Sequence, residues 1–170
     1  MSTVQNCLRA AAAAILAVGL SAGVAVAPAQ AAAPLKMKAN LQIEKYRNDN
    51  SGRYELIING FVSMSPEEAR RYVAEGPRAT LRVFGDDPSY DNLRGGPYFF
   101  DTNGGVGSIF ARTGIGGIDI VSRLVVEPSM LNEDNGWYEG AGDEIFARLR
   151  FVAKNGQEVT VDTNVVKGEF

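Results

Sequence analysis

The sequence predicts an all-β fold, an antiparallel β-sandwich of about eight strands with one short helix. Three observations carry this reading. Apolar and polar residues alternate with period two through most of the chain, clusters of turn formers separate the alternating runs, and only one segment has helical start and stop signals. A βαβ arrangement fails because one helix cannot serve the several crossovers that parallel strands need.

The elements follow in order. Leu35, Met37, Ala39, Leu41 and Ile43 fall on one face of the first run, with Lys36, Lys38, Asn40, Gln42 and Glu44 on the other, as in a half-buried strand. Asn48-Asp49-Asn50-Ser51-Gly52 is a cluster that favours a hairpin turn. The return strand carries Tyr54, Leu56, Ile58 and Val62, and Gly60 interrupts it at a bulge or a close backbone approach. Ser65 caps a helix, Pro66 suits its first position and Glu68 completes a capping box, while Gly76-Pro77 ends it after about three turns. That helix plugs one end of the domain or bridges two strands.

Ala79, Leu81 and Val83 resume the strand pattern, and a polar, Gly/Pro-rich stretch from Asp86 to Pro97 reads as a loop. Short strands are expected at Tyr98–Phe100 and Ile109–Ala111, around Asn103-Gly104-Gly105. Ile118, Ile120, Ser122, Leu124 and Val126 form a clearer strand whose second face is partly apolar, so a central position is expected. After a long acidic loop from Asn132 to Asp143, Ile145, Ala147, Leu149 and Phe151 alternate again. Asn155-Gly156 then gives the best hairpin signal in the chain, leading to Val159, Val161 and Thr163, with an extension through Val165 and Val166 towards Phe170. No internal repeat is visible.

Residues 1–31 have the form of a secretory signal peptide: Arg9 is their only charge, an apolar run reaches Val26, and Ala29-Gln30-Ala31 offers a cleavage site. Removing 31 of 170 residues leaves 139, residues 32–170, enough for a single β-sandwich domain. Later runs are too short for a transmembrane segment. Losing Arg9 moves the net charge from −3 to −4, without the basic footprint of a nucleic-acid binder. The chain has no His, and its only cysteine, Cys7, lies in the signal, in a context that does not suit lipidation. A secreted, extracellular, cysteine-free domain follows, stabilised by burial alone, and its alanine-rich leader points to a bacterial source.

These absences exclude disulfides, thiolate and His metal sites, and Ser-His-Asp or Cys-His catalysis in the mature domain. Oxygen chemistry, calcium or plain binding stay open. Gly104 to Gly117 is glycine-rich, but it has neither the following helix nor the lysine of a phosphate cradle. Carboxylates gather instead between strands, and Asp86, Asp87, Glu133, Asp134, Asp143 and Glu144 are the candidate metal ligands. Calcium takes about six to eight oxygens, which flexible loops supply. An antiparallel sandwich with aspartates on end loops resembles the C2 domains in kind, or an Ig-like sandwich, although no stretch matches the ordered C2 motif. The competing account is that Asp, Asn and Gly are simply turn formers.

The first functional reading is therefore a non-enzymatic binding or structural sandwich, with calcium as the candidate cofactor or none, and an extracellular protein or glycan as partner. The alternative is a carbohydrate-binding or cell-envelope module that stacks sugars on Tyr90, Trp137 and Tyr138. A carboxylate-based hydrolase comes third, since it needs two acids about 5–9.5 Å apart in a cleft. Mass spectrometry of the secreted protein should find its N-terminus at Ala32, Pro34 retained and no lipid; an intact leader carrying Cys7 overturns the export reading.

Overall fold

The computed structural model describes residues 34–47, 51–86, 91–132 and 142–170, and the expected signal peptide lies outside them. Among these residues nine strands run in chain order: β1 (Lys36–Lys45), β2 (Tyr54–Ser63), β3 (Arg78–Gly85), β4 (Asn92–Phe99), β5 (Ile109–Gly114), β6 (Gly117–Val126), β7 (Asp143–Val152), β8 (Glu158–Asp162) and β9 (Val166–Gly168). Helix α1 (Pro66–Glu75) follows β2, and the one-turn α2 (Pro128–Leu131) follows β6. The first sheet has the order β1-β2-β6-β5 and the second β4-β3-β7-β8, with β9 also on β7. The expected all-β sandwich forms, with one strand and one helix more than the sequence suggested.

Between the sheets lies the core. Leu41, Leu56, Ile58, Val62, Ile118, Ile120 and Leu124 of the first sheet are buried with Leu81, Val83, Ile145, Leu149 and Phe151 of the second. Each such side chain contributes about 1.5–3 kcal/mol through burial, which is what holds a disulfide-free domain together. Gly60 belongs to this interface. The β1–β2 register is unbroken through it, so there is no bulge there; a Cβ at this position would stand 2.5 Å from Leu149 Cδ2. Glycine lets the facing leucine reach the strand backbone.

Helix α1 carries the chain from the first sheet to the second. Ser65 Oγ accepts from Glu68 N–H at 3.3 Å, and the Glu68 carboxylate accepts from Ser65 N–H at 3.2 Å, the reciprocal box that the sequence announced. The Ser65 hydroxyl also donates to the Glu68 carboxylate at 2.8 Å, and this bond, followed by that from Ser65 N–H, holds the Glu68 pKa below its ordinary value. Ala69 and Tyr72 are its buried residues, and the Tyr72 hydroxyl accepts from Lys154 N–H at 2.8 Å in the β7–β8 turn. That turn is the expected Asn155-Gly156 hairpin, closed by Ala153 N–H donating to Gln157 O at 2.7 Å.

Three features differ from expectation. Residues 92–97, read as loop, form most of β4; an edge strand tolerates Gly95, Gly96 and Pro97 because only one side must pair, and its register with β3 shifts twice. Helix α2 is too short to show periodicity, and Arg94 of β4 secures it by donating to the carbonyls of Met130, Ser129 and Asn132. Finally, the connectivity β-β-α-β-β occurs twice although the sequence shows no repeat, because hydrophobic patterning, not identity, is what each half reproduces. Leu56, Ile58 and Val62 of β2 correspond to Ile118, Ile120 and Leu124 of β6, and Pro66 to Pro128.

The extension after β8 is also broken rather than continuous. Asp162 pairs with Arg148 and Val166 with Ile145, so the β8–β9 side carries one residue more than β7 between these pairs. Thr163 keeps the ladder intact: its N–H donates to Ala147 O at 2.9 Å and its Oγ1 accepts from Ala147 N–H at 2.9 Å. Asn164 is thereby turned towards the other sheet. Its Oδ1 accepts from Leu41 N–H at 2.9 Å and its Nδ2 donates to Leu41 O at 3.1 Å, so one side chain replaces a strand at the outer edge of β1. Asn164→Ala should cost about 1–2 kcal/mol in chemical denaturation because it leaves both Leu41 groups unpaired by protein. Asn164→Asp, which keeps the acceptor and loses the donor, should fall in between; an unchanged midpoint for both would mean the stitch carries no stability.

Candidate functional site

The strand register decides what the acidic segments can do. Gly85 at the end of β3 pairs with Ile145 near the start of β7, and Asp86 N–H donates to Glu144 O at 2.7 Å. The acidic segments 86–91 and 132–143 therefore spring from neighbouring strand ends. Of the candidate metal ligands, Asp86, Asp143 and Glu144 are brought to this end. Asp87, Glu133 and Asp134 lie outside the described residues, as do Tyr90, Trp137 and Tyr138.

Asp143 and Glu144 face opposite sides of the second sheet, because consecutive strand residues alternate. Asp143 is on the core side, 5 % exposed, and its Oδ2 accepts from Phe170 N–H at 3.4 Å. Glu144 is on the outer side and accepts from Lys167 Nζ, directly opposite on β9. That hydrogen bond and the charge of Glu144 push the Lys167 pKa up, against the cost of desolvation, and Asp86 adds to the effect. The ammonium thus already answers the carboxylates on the outer side. Among the described residues, no group of three or more Asp, Glu, His or Cys side chains is arranged to hold a metal ion.

Sequence reasoning missed a second surface, on the outer face of the second sheet. Phe84 of β3 stacks on Phe146 of β7, with centroids 5.3 Å apart, and the Arg148 guanidinium lies 4.9 Å from the Phe84 centroid. Arg148 also bonds Asp162 of β8 at 2.6 Å and Asp91 at 3.2 Å, and Arg150 pairs with Glu158 of β8. Strand β8 therefore neutralises the arginines of β7. Strand β3 has no such neighbour: β4, on its other side, presents Leu93 and Phe99, which are 56 % and 60 % exposed. Arg78 and Arg82 have no ion-pair partner among the described residues. A groove of about 450 Å³ adjoins Arg78 and is lined also by Thr80, Phe99, Phe100, Arg150 and Val152. The alternation of Arg78, Thr80 and Arg82 was visible in the sequence; what was not visible is which neighbour each arginine receives.

Compared with known proteins, the chain matches no family model, and neither a curated protein nor a solved structure matches it. No helix among the described residues is long and apolar enough to cross a membrane.

The Lys167 contact has a definite pH signature. A pKa raised on folding means that the pair contributes fully below the unfolded lysine value and is lost as pH rises through the folded one, on the alkaline side of 10.5. Titration of the lysine side-chain resonances should show Lys167 as the late group, returning towards the ordinary value in Glu144→Gln. An unshifted Lys167 in the unmodified protein would remove the pair.

Proposed function

We propose that this chain is an exported, non-enzymatic binding β-sandwich whose ligand-facing surface is the acidic end. The observation that carries the reading is the 2.7 Å bond between Asp86 and Glu144, which roots both acidic segments side by side. All the candidate ligands, Asp86, Asp87, Glu133, Asp134, Asp143 and Glu144, belong to those two segments or their strand junctions. Calcium is the ligand whose chemistry fits: it accepts carboxylate and backbone oxygens from loops without demanding rigid geometry. In this reading the ion enters from the outer side, where Asp86 and Glu144 flank Lys167, and exchanges with the lysine ammonium as their counter-charge.

Among the described residues, the shifted groups fit structural roles: the Glu68 shift belongs to a helix cap, the Tyr98 shift to burial, the Arg148 shift to its bonds with Asp162 and Asp91, and the Lys167 shift to strand pairing.

The same two segments carry Tyr90, Trp137 and Tyr138, and this favours a glycan as the second reading. Thermal unfolding in a calcium titration tests the first. Calcium bound by the native state alone should raise the midpoint progressively, by RT ln(1 + [L]/Kd) in free energy, and Asp134→Asn should weaken that response. Magnesium should act weakly, because it prefers a smaller octahedral shell. If millimolar calcium leaves the midpoint unchanged, the cation reading is wrong; quenching of Trp137 fluorescence by soluble glycans then decides the second.

A further inference from the structure

Strand β3 presents Arg78 and Arg82 on the outer face of the second sheet, four residues and about 13 Å apart at the rise of an extended chain. Both are exposed and neither has an ion-pair partner among the described residues, in contrast to Arg148 and Arg150 beside them. Beta-four flanks this pair with two exposed apolar side chains, Phe99 opposite Thr80 and Leu93 opposite Phe84. Two guanidinium groups without a partner among the described residues, separated by a threonine and bordered by a phenylalanine, make a surface that would read anion, apolar group, anion in a ligand.

We propose that this face binds an extended acidic peptide segment of a partner protein, with carboxylates at its first and fifth positions and an apolar residue at its third. An extended peptide repeats every two residues, so positions one, three and five project to one side, and its rise matches that of β3. The two carboxylates meet Arg78 and Arg82, whose planar forks suit carboxylates. The third side chain lies over Thr80 against Phe99, in the groove of about 450 Å³. Charge complementarity selects a peptide over an anionic bilayer. Glu158 and Asp162 on β8 border the same face but are paired with Arg150 and Arg148, and Asp91 also bonds Arg148 opposite Arg82; the cations without a described partner therefore form one narrow row along β3, which a single extended strand matches and a flat anionic surface does not. This surface meets the acidic end at Asp91, which bonds Arg148 opposite Arg82, but it does not depend on the role proposed there.

Isothermal titration calorimetry on the mature domain tests it with a blocked pentapeptide carrying glutamates at positions one and five and phenylalanine at three. The unmodified protein should bind it, with affinity falling as salt rises. Replacing both glutamates of the peptide by glutamine should weaken binding by about tenfold. Arg78→Gln and Arg82→Gln should each weaken binding by about threefold, and together by about tenfold. Because both side chains are exposed, the variants should keep the unmodified melting midpoint, and the glutamine peptide tests the same point without altering the protein. Absence of binding at millimolar peptide, equal binding of the glutamine peptide, or an unchanged affinity in the folded double variant overturns the proposal. Sedimentation with phosphatidylglycerol vesicles that depends on Arg78 and Arg82, without peptide binding, overturns it in favour of a membrane surface.

Discussion

The antiparallel pairing of β3 with β7 is the constraint on which the functional surfaces depend. Its register, from Arg78 opposite Val152 to Gly85 opposite Ile145, aligns one end of each strand with the acidic segments and the other with the end of α1. A slip of one residue would exchange the two faces of a strand. Leu81 and Val83 would then leave the core, and Arg78 and Arg82 would enter it. The burial of Leu81, Val83, Ile145 and Leu149 therefore fixes where the charged groups stand, although none of those four residues is polar.

Much of the fold was legible because its signals are local. Period-two alternation marks β1, β2, β6 and β7, the capping box and Gly76-Pro77 bound α1, and Asn155-Gly156 closes the β7–β8 hairpin. The partly apolar second face of β6 also correctly implied its position between β2 and β5. What escaped is set by tertiary surroundings. Nothing local distinguishes the glycines of β4 from those of a loop; an edge position and the anchoring of α2 by Arg94 make that segment a strand. Asn164 reads as an ordinary polar residue until the extra residue after β8 turns it towards Leu41.

The candidate site divides in the same manner. Acidic composition is visible in the sequence, and so are the segments that contain it. Which carboxylates share a side is not, until strand boundaries are known: with β7 beginning at Asp143, strict alternation separates Asp143 from Glu144. Lys167 was equally hidden, since its role as the counter-charge of Glu144 depends on β9 returning to β7 one residue out of step with β8. The arginines of the outer face show the converse. Their spacing is plain in the sequence, and only strand order reveals that β8 supplies acids to Arg148 and Arg150 while β4 supplies none to Arg78 and Arg82.

The twofold occurrence of β-β-α-β-β bears on how the chain reaches this state. Each half contributes an edge and a central strand to both sheets, and both central pairs join the halves: Ser63 meets Gly117, and Arg78 meets Val152. Neither half owns a finished sheet. Most of the pairing energy is therefore collected only after long stretches of chain have been closed into loops, which places the domain among the slow, high-contact-order folders. While the first half waits for the second, β2 and β3 each have one unpartnered backbone edge, the kind of template that recruits strands from other molecules. A nascent chain halted between α1 and β6 would be sticky in a way that the finished molecule is not, and keeping it solitary until β7 arrives is a task for a holding chaperone or for rapid synthesis.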